Sequence, residues 1–488
     1  MEIRPSMEEV RSYASAGEYK YIPVSTSIMS DIKTPIEVLK ILKNVSTHTY
    51  MLESMENNEN RGRYTFLGFD PKLDITCANG VMKVGDETIE TSRPGDVLRN
   101  IMKDYKSPKL DFLPPFAGGL VGYFSYDYVK YAEPSLDLDA EDREGFKDVD
   151  LMLFDKVIAF DSLMQKIILM VNIRLDDIEN EYERAGKDLA SLIDLIRNGK
   201  GIDEKPGKLL SDIRPLFGKE EYCSMVEKAK YHIKEGDIFQ IVLSNRLEAD
   251  FEGSLLNVYR ILRTTNPSPY MFYFSGTDVE VAGASPETLV KLDGDTLYTY
   301  PLAGTRPRGR TEEEDLQLEK ELLADPKELS EHNMLVDLGR NDIGKISEFG
   351  SVSVKELHTI LRFSHVMHIG STVKGTIRKE CDALDAIDAI LPAGTLSGAP
   401  KIRACQLINE LENNKRGIYG GAIGYMDFSG NLDTCIGIRI AYKKGNKVFV
   451  RSGAGIVFDS VPEKEYQESI NKAAAVVNAI KAAQDEEL

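Results

Sequence analysis

The chain has 488 residues, and its 60 lysines and arginines against 79 aspartates and glutamates leave a formal charge of −19. This acidic balance argues against nucleic-acid binding, because a phosphate backbone requires a basic surface. No apolar run reaches the roughly 18 residues of a membrane helix, the acidic N-terminus does not resemble a signal peptide, and the five scattered cysteines form no C-x-x-C pair, so a cytoplasmic location is expected.

The first half of the chain predicts strands with helices at intervals. Apolar, β-branched runs at 156–161 and 166–175 predict two strands joined by a polar turn, and apolar residues at helical spacing predict a helix over 176–198. Segment 198–215 is rich in glycine, proline and charge, as linkers are. We therefore divide the chain into an N-terminal region, residues 1–205, and a second region, residues 215–488.

The second region predicts a helix at 219–235, a strand at 237–247 and another helix at 253–264. An acidic helical stretch opens at Thr311 with the capping sequence T-E-E-E. This rhythm favours an α+β protein with antiparallel sheets over a doubly wound fold. Segment 118–123 (GGLVGY) is echoed at 420–425 (GGAIGY), which indicates either two similar halves or two unrelated strands flanked by glycine.

Two pairs of carboxylates lie at predicted helix starts. Asp325 and Pro326 fit the cap and first position of one helix, and Ser460 with Glu463 fits a capping box at another. The paired glutamates, three positions apart and therefore on one helix face, are Glu328 with Glu331 and Glu465 with Glu468. Brought together, four carboxylates would form a hard oxygen site suited to Mg²⁺. Alternatively they serve only as caps, because helix N-termini favour anions.

Glycine-rich and basic segments indicate a small anionic ligand. Segment 394–401 (GTLSGAPK) precedes an amphipathic helix, so its amides can face an anion. It is not a Walker A loop, because Pro400 intervenes and no Ser or Thr follows Lys401. Segment 451–455 (RSGAG) is a second place for close backbone approach, and segment 303–310 (AGTRPRGR) adds three arginines. Taken singly, each segment could be an ordinary turn.

Four of the six histidines fall within 37 positions, at His332, His358, His365 and His368. The spacing of His365 and His368 occurs in zinc sites, but no matching third ligand is evident. A general acid or base, or a structural histidine, remains the alternative.

Six ordered motifs together resemble the chorismate-utilising enzymes, and among them the aminating subunits that form anthranilate. The motifs lie at 303–310 (AGTRPRGR), 330–342 (SEHNMLVDLGRND), 394–401 (GTLSGAPK), 419–425 (YGGAIGY), 433–439 (DTCIGIR) and 453–465 (GAGIVFDSVPEKE). The resemblance is strong from about residue 220 onward and weaker before it. It implies the family's four-layer α/β/β/α sandwich of large, mostly antiparallel sheets.

The resemblance also implies the reaction. Water-adding members carry a lysine at the position of Gln240, and aminodeoxychorismate synthases carry a lysine nucleophile at the position of Ala303. Neither lysine is present, which implies that ammonia adds to chorismate and that anthranilate and pyruvate form through an aminated intermediate, the first step of tryptophan biosynthesis. The alternatives are an aminodeoxychorismate synthase component I that manages without the lysine, and a catalytically silent tryptophan-binding homologue.

The family's residue roles carry over by position. Glu331 and Glu468 are implied ligands of Mg²⁺, with Glu328 and Glu465 close by. Glu287 matches the family's acid/base residue, His368 the residue of pyruvate loss, and Thr395 an assisting hydrogen-bond donor. Substrate contacts are implied for Gly304, Thr305, Tyr419, Arg439, Gly453, Ala454 and Gly455.

Regulation and partnership are implied in the same way. Glu53 and Ser54, with Pro269, Tyr270 and Met271, resemble the two parts of a feedback site for tryptophan. No glutaminase elbow surrounds any cysteine, so the resemblance implies a separate glutamine amidotransferase subunit in a hetero-oligomer. Residues 1–205 are expected to carry part of the feedback site and the amidotransferase docking surface, and residues 215–488 the chorismate site.

Overall fold

The structure is a computed structural model that describes residues 1–54, 62–362 and 366–484. Its helices are α1 Met7–Ala16, α2 Pro35–Val45, α3 Pro94–Asp104, α4 Val129–Ala132, α5 Ile178–Asn198, α6 Lys219–Glu235, α7 Leu256–Thr265, α8 Glu312–Ala324, α9 Pro326–Gly344, α10 Ala383–Ile390, α11 Lys401–Glu412 and α12 Pro462–Ala482. None of these is long and apolar enough to cross a membrane within the described ranges.

The strands of the first region are β1 Tyr21–Met29, β2 Thr49–Glu53, β3 Tyr64–Phe69, β4 Leu73–Ala78, β5 Val81–Val84, β6 Glu87–Glu90, β7 Gly119–Phe124, β8 Val149–Phe154, β9 Lys156–Asp161 and β10 Lys166–Arg174. Those that follow are β11 Lys208–Leu209, β12 Arg214–Pro215, β13 Gln240–Glu252, β14 Tyr270–Ser275, β15 Val279–Ser285, β16 Thr288–Asp293, β17 Thr296–Thr299, β18 Leu302–Pro307, β19 Ser353–Arg362, β20 Val366–Thr376, β21 Gly398–Ala399, β22 Ala422–Asp427, β23 Leu432–Ile436, β24 Ile440–Lys444 and β25 Lys447–Ile456.

The strands form two large antiparallel sheets. The first sheet has the order β1-β10-β9-β3-β2-β14-β15-β24-β25-β13-β11, with β12 and β21 also paired to β13. The second has the order β18-β20-β17-β16-β23-β22-β7-β8-β4-β5-β6, with β19 paired to β20. Strands from both predicted regions therefore hydrogen-bond to one another in both sheets, for example β2 with β14 and β7 with β22.

Alternate residues of the strands bury opposite faces, which produces four layers. In β2, Tyr50 belongs to an aromatic core between the sheets, whereas Met51 packs on the other side with α2, α5, α7 and α12. The outer face of the second sheet is covered in the same way by α3, α9 and α10. Because both faces of each sheet are apolar, the central strands read as continuous apolar runs. The predicted α/β/β/α sandwich is confirmed.

Local predictions near the site are mostly confirmed. The helix at Lys219–Glu235 has the predicted bounds, Thr311 caps α8, and Asp325 caps α9 with Pro326 at its first position. The capping box of Ser460 with Glu463 is wrong. Because Pro462 occupies the first helical position of α12, the cap residue is Val461, and Ser460 instead accepts a hydrogen bond from the Val457 amide.

The echoed glycine segments are neighbouring strands at the centre of the second sheet. In the pairing of β7 with β22, Gly122 lies directly opposite Gly424. A Cβ at Gly122 would lie 2.1 Å from the Asp150 carbonyl oxygen, and one at Gly424 would lie 2.1 Å from that of Asp433. Glycine is therefore required here by close backbone approach.

Candidate active site

Two predicted site residues lie where the chain crosses from one sheet to the other. Glu287 lies between β15 of the first sheet and β16 of the second, and Arg439 lies between β23 of the second sheet and β24 of the first. The Ile436 amide donates to the Glu287 carbonyl oxygen at 2.9 Å, and the Ala284 amide donates to that of Arg439 at 3.1 Å. These bonds fix the two crossings against each other.

Glu287 is a carboxyl adapted to proton transfer. Burial raises its pKa to about 7, while the hydrogen bond from Thr395 and the charge of Lys472 act in the opposite direction. Thr395 Oγ1 donates to Glu287 Oε1 at 2.9 Å. The residue as a whole is partly exposed, while its carboxyl is buried. A pKa near neutrality suits both the holding and the release of a proton.

His368, on β20, is held in one tautomer by the adjacent strand β18. Its Nδ1 lies 2.9 Å from the Gly304 carbonyl oxygen and 3.1 Å from Thr305 Oγ1. Because a carbonyl oxygen can only accept, Nδ1 carries the hydrogen and Nε2 carries the lone pair. Burial lowers the pKa of His368, Arg439 lowers it further, and the bond to Gly304 opposes them. The imidazole is therefore neutral at neutral pH.

Arg439 is a half-buried cation that lacks an anionic partner. Within the described residues its guanidinium makes neither a hydrogen bond nor an ion pair, and burial lowers its pKa. Its backbone has a φ of +53°, in the left-handed region that non-glycine residues seldom occupy. A strained backbone that presents an unpaired cation is typical of a ligand site. We call Glu287, Thr395, His368 and Arg439 the junction site.

Of the predicted substrate contacts, Gly304 is hydrogen-bonded to His368 and Tyr419 lies near Arg439, whereas residues 453–455 pair with β13. Gly304 has a φ of +63°, and a Cβ there would lie 3.2 Å from Glu328 Oε2. Gly453 has no room for a Cβ, which would lie 2.4 Å from the Leu243 carbonyl oxygen, whereas Gly455 is exposed and faces open space. Ala454 and Tyr419 are buried. The exposed backbone at Gly455 can thus be approached closely by a ligand.

The four predicted metal ligands lie near one another at the starts of α9 and α12. Partial burial raises the pKa of Glu331, as do the nearby charges of Glu328 and Glu468. Burial and the charge of Glu468 likewise raise the pKa of Glu465. Within the described ranges, however, no three acidic, histidine or cysteine side chains converge as a metal-binding group. The raised pKa values indicate that these carboxylates lie close enough to repel one another. Their oxygens do not point to a common centre at which a metal ion could bind.

Two of these carboxylates are paired with cations instead. Arg306 Nη1 lies 3.2 Å from Glu328 Oε1, and Lys472 Nζ lies 2.7 Å from Glu468 Oε1. Lys472 also lies close enough to Glu287 and Glu331 to lower the pKa of Glu287 and to oppose the rise at Glu331. Sequence reasoning missed Lys472, although its position four residues after Glu468 on one helix face was a usable signal.

The residues predicted to bind tryptophan are brought together by strand pairing. Met271 of β14 lies directly opposite Glu53, the last residue of β2, and Ser54 follows immediately. Pro269 is buried just before β14. The Tyr270 hydroxyl lies 2.9 Å from Thr288 Oγ1 and 2.8 Å from Asp433 Oδ1. We call Glu53, Ser54, Pro269, Tyr270 and Met271 the effector region.

Glu53 is already fully paired in the effector region. Arg263 Nε and Nη2 donate to its two carboxylate oxygens at 2.5 and 3.0 Å, and the Tyr259 hydroxyl donates at 2.5 Å. Arg263 and Tyr259 lie on α7, more than 200 positions from Glu53, so no local pattern could reveal them. Of the two histidines at zinc-like spacing, His365 and His368, for which zinc is the disfavoured interpretation, His365 lies outside the described residues.

Comparison with known proteins identifies the class. The family model of chorismate binding enzymes matches residues 47–478. The chain belongs to this enzyme family.

Curated relatives are similar over essentially the whole chain. Anthranilate synthase component 1 of Acetivibrio thermocellus is 43% identical, over 98% of this chain and 99% of the relative. That of Aquifex aeolicus is also 43% identical, over 99% of each. A crystal structure of anthranilate synthase component I from Streptococcus pneumoniae TIGR4 matches with a TM-score of 0.77 and 36% identity, over 92% of this chain and 98% of that one. The resemblance predicted from the six motifs, to anthranilate synthase component I, is confirmed.

Proposed function

We propose that the chain aminates chorismate with ammonia and then eliminates pyruvate to form anthranilate, in the first step of tryptophan biosynthesis. The observation that carries this proposal is the junction site. It combines an unpaired cation, a carboxyl with a pKa of about 7 and a neutral imidazole in one place. These groups suit a dianionic substrate that must first be protonated and then deprotonated.

In the amination step, Glu287 acts as the general acid. Ammonia forms a bond to C2 of the ring, the C1=C2 bond shifts to C1=C6, the C5=C6 bond shifts to C4=C5, and the C4–O bond breaks. The new ammonium group then loses a proton to solvent. Glu287 gives its proton to the departing hydroxyl, which leaves as water. Burial keeps this carboxyl protonated near neutral pH, and the bond from Thr395 orients it.

In the elimination step, His368 acts as the general base. Its Nε2 lone pair takes the proton from C2 while the bond between C3 and the enolpyruvyl oxygen breaks and pyruvate leaves. The hydrogen bond from Nδ1 to the Gly304 carbonyl fixes the ring for this role. Arg439 pairs with the enolpyruvyl carboxylate, which supplies the anion that its guanidinium lacks.

The residues at the starts of α9 and α12 fit Mg²⁺. Glu328, Glu331, Glu465 and Glu468 offer only carboxylate oxygens, which are hard ligands, and their mutual repulsion would be relieved by a cation. Small rotations of these side chains would be needed, with release of Arg306 and Lys472 from two of them. When bound, Mg²⁺ supplies charge that neutralises the ring carboxylate of chorismate.

Ammonia is proposed as the nucleophile because the alternatives lack their residues. Gln240, which begins β13 and is buried, cannot act as the base that activates water. Ala303, on β18, cannot form a covalent bond to the ring. The ammonia comes from a separate glutamine amidotransferase subunit, since the relatives are named component 1. The two chains form a hetero-oligomer, which we place in the cytoplasm.

Tryptophan is the proposed feedback inhibitor, bound at the effector region. Two observations support this assignment: Glu53 and Met271 are cross-strand partners, and Tyr270 is hydrogen-bonded to Thr288, the residue after Glu287. A ligand that moves Tyr270 would thereby act on Thr288, the first residue of β16, which directly follows the general acid Glu287.

The proposal is tested by a fluorescence assay of the purified chain with chorismate, Mg²⁺ and ammonium at alkaline pH, with and without tryptophan. Formation of anthranilate, and its loss when tryptophan is added, would support both sites. A product that retains its enolpyruvyl group would instead indicate an aminodeoxychorismate synthase. Tryptophan binding without any product would indicate a silent homologue.

A further inference from the structure

Next to the junction site lies a buried cluster of three charged side chains, Glu412, Arg416 and Arg451, none of which exceeds 2% exposure. Arg416 donates to both oxygens of Glu412, at 2.5 and 3.0 Å. Arg451 donates to Glu412 Oε2 at 2.7 Å. A buried pair of this kind is weak evidence for stability, because desolvation offsets most of the attraction. The role of the cluster must therefore be sought in the other contacts of its three side chains.

The contacts of Arg416 lead to two parts of the site. Nη1 donates at 2.6 Å to the carbonyl oxygen of Leu396, the residue after Thr395. Nη2 donates at 2.7 Å to the Val242 carbonyl oxygen, while the Val242 amide donates to Ser397. The guanidinium also lies 5.7 Å from the centre of the Tyr419 ring. Arg416 thus joins the turn that carries Thr395 to β13 and supports Tyr419.

The other two members lead to the glycine strand. Arg451 lies on β25, two residues before Gly453, and its Nε donates to Ser244 Oγ at 2.8 Å. Glu412 accepts from the Ser244 amide at 2.7 Å. In the pairing of β13 with β25, Ser244 lies opposite Gly453, and Val242 lies opposite Gly455. The cluster therefore holds the strand partners of the buried Gly453 and of the exposed Gly455.

We propose that Arg416, with Glu412 and Arg451, is a positioning residue for the reaction: its planar guanidinium sets Thr395, Tyr419 and the 453–455 backbone at fixed distances from one another. The proposal rests on the proposed function of the junction site. Lysine cannot replace this arginine, because a single ammonium cannot donate along several fixed directions in one plane.

One consequence separates positioning from general stabilisation. If the Leu396 carbonyl is released, Thr395 moves away from Glu287 and the hydrogen bond that lowers the pKa of Glu287 is lost. The pKa of Glu287 then rises. Thr395 and Lys472 are the two groups that lower this pKa, and only Thr395 is tied to the cluster. A general acid works only when it is protonated. The fall of kcat at alkaline pH, which we call the alkaline limb, should therefore move to higher pH.

The test compares Arg416→Lys with Arg246→Lys in the full chain. Arg246, on β13, is likewise a buried arginine, but it pairs with Glu144 at 2.6 Å and Glu248 at 2.7 Å, away from the turn that carries Thr395. Its side chain reaches the cluster through a long contact of 3.5 Å to Asn414 Oδ1, which also accepts from Arg451. For each variant, kcat and KM for chorismate are measured from pH 6 to 9 at constant free ammonia. Melting temperature is measured alongside, and the pKa of Glu287 is read from the infrared carboxyl band that Glu287→Gln removes.

We expect Arg416→Lys to lower kcat at pH 7 at least tenfold and to move the alkaline limb of kcat to higher pH. The pKa of Glu287 measured by infrared spectroscopy should rise as well. Arg246→Lys should lower the melting temperature with kcat changed less than twofold and no shift of the limb. Equal losses of kcat in the two variants, or an unshifted limb in Arg416→Lys, would overturn the proposal.

If Arg416→Lys does not fold, Ser244→Ala decides the question, since it removes only a hydroxyl that binds Arg451 and Glu412. A smaller upward shift of the same limb would support positioning, and no shift would overturn it. The infrared measurement needs no turnover. A wild-type chain that forms no anthranilate would therefore defeat the proposed function while leaving the cluster still open to test.

Discussion

In the junction site Arg439 makes no ion pair with any described residue, whereas in the effector region Glu53 is bound by both Arg263 and Tyr259. Both side chains are at least half covered by protein, so both have lost much of their hydration. Among the described residues, Glu53 has oppositely charged and hydrogen-bonding partners and the Arg439 guanidinium has none. This contrast supports the proposal that the junction site is completed by a ligand, whereas Glu53 in the effector region is satisfied by protein groups alone.

The difference indicates how each site should respond to substitution. Removal of a charge from the junction site or from the nearby carboxylates should cost turnover, because the ligand loses a partner that the protein has kept available. A change in the effector region should alter regulation and spare turnover, because its internal bonds do not touch the reacting atoms. Four predictions test this contrast.

The largest effect is expected at the proposed metal ligands. Glu331→Gln or Glu468→Gln should lower turnover at least about 100-fold, because each removes a charged oxygen from a site for a divalent cation. Anthranilate fluorescence over a range of Mg²⁺ concentrations checks this, with Mg²⁺ binding followed by calorimetry. Glu463→Gln, at an exposed position in the first turn of α12, is the matched control. Normal activity at saturating Mg²⁺ would count against the ligand assignment.

The second effect concerns the order of the two steps. His368→Gln should slow pyruvate loss about 100-fold or more, as is typical when a general base is removed, and should slow amination much less. An aminated intermediate should then accumulate and be visible by chromatography. His232→Gln, which changes a histidine paired with Asp237 on the surface, serves as the control. If no intermediate appears, His368 does not have this role.

The third effect concerns the unpaired cation. Arg439→Lys should lower kcat/KM for chorismate about 10- to 100-fold, because lysine cannot form two parallel bonds to a carboxylate. Steady-state kinetics measures this loss, and Arg340→Lys at an exposed ion pair with Asp337 is the control. An unchanged kcat/KM would mean that Arg439 does not meet the substrate.

The smallest effect on turnover is expected in the effector region. Ser54→Phe should raise the inhibition constant for tryptophan by at least about tenfold, the effect of roughly 1.4 kcal/mol lost to a steric clash, with kcat within twofold of wild type. Ser191→Phe, on the exposed face of α5, controls for the added ring. An unchanged inhibition constant would show that tryptophan binds elsewhere.

A large part of this protein could be predicted from its sequence, and the parts that could are local. Helix Lys219–Glu235, the cap of α9 by Asp325 and the α+β class follow from periodicity and capping, which depend on neighbours a few residues apart. The capping box at Ser460 failed for an equally local reason, since Pro462 moved the helix start by one residue. The six motifs, being contiguous, carried the family resemblance.

What required the tertiary structure is every contact between distant segments. Sequence motifs name Glu287, His368 and Arg439, but only the two sheet crossings bring Glu287 and Arg439 to one junction. The unpaired guanidinium of Arg439 and the raised pKa of Glu287 are consequences of burial, which depends on what packs around each group and not on its neighbours in the chain.

The same reason explains the pairing of Glu53 with Arg263, 210 positions away, and the bond from Arg451 to Glu412, 39 positions away. Local patterns report which residue types are present and which helix or strand they occupy. Hydrogen bonds and desolvation between remote segments arise only when the two sheets pack. The sequence by itself therefore determined the family and its chemical groups, and the fold decided which of those groups find a partner among the described residues and which do not.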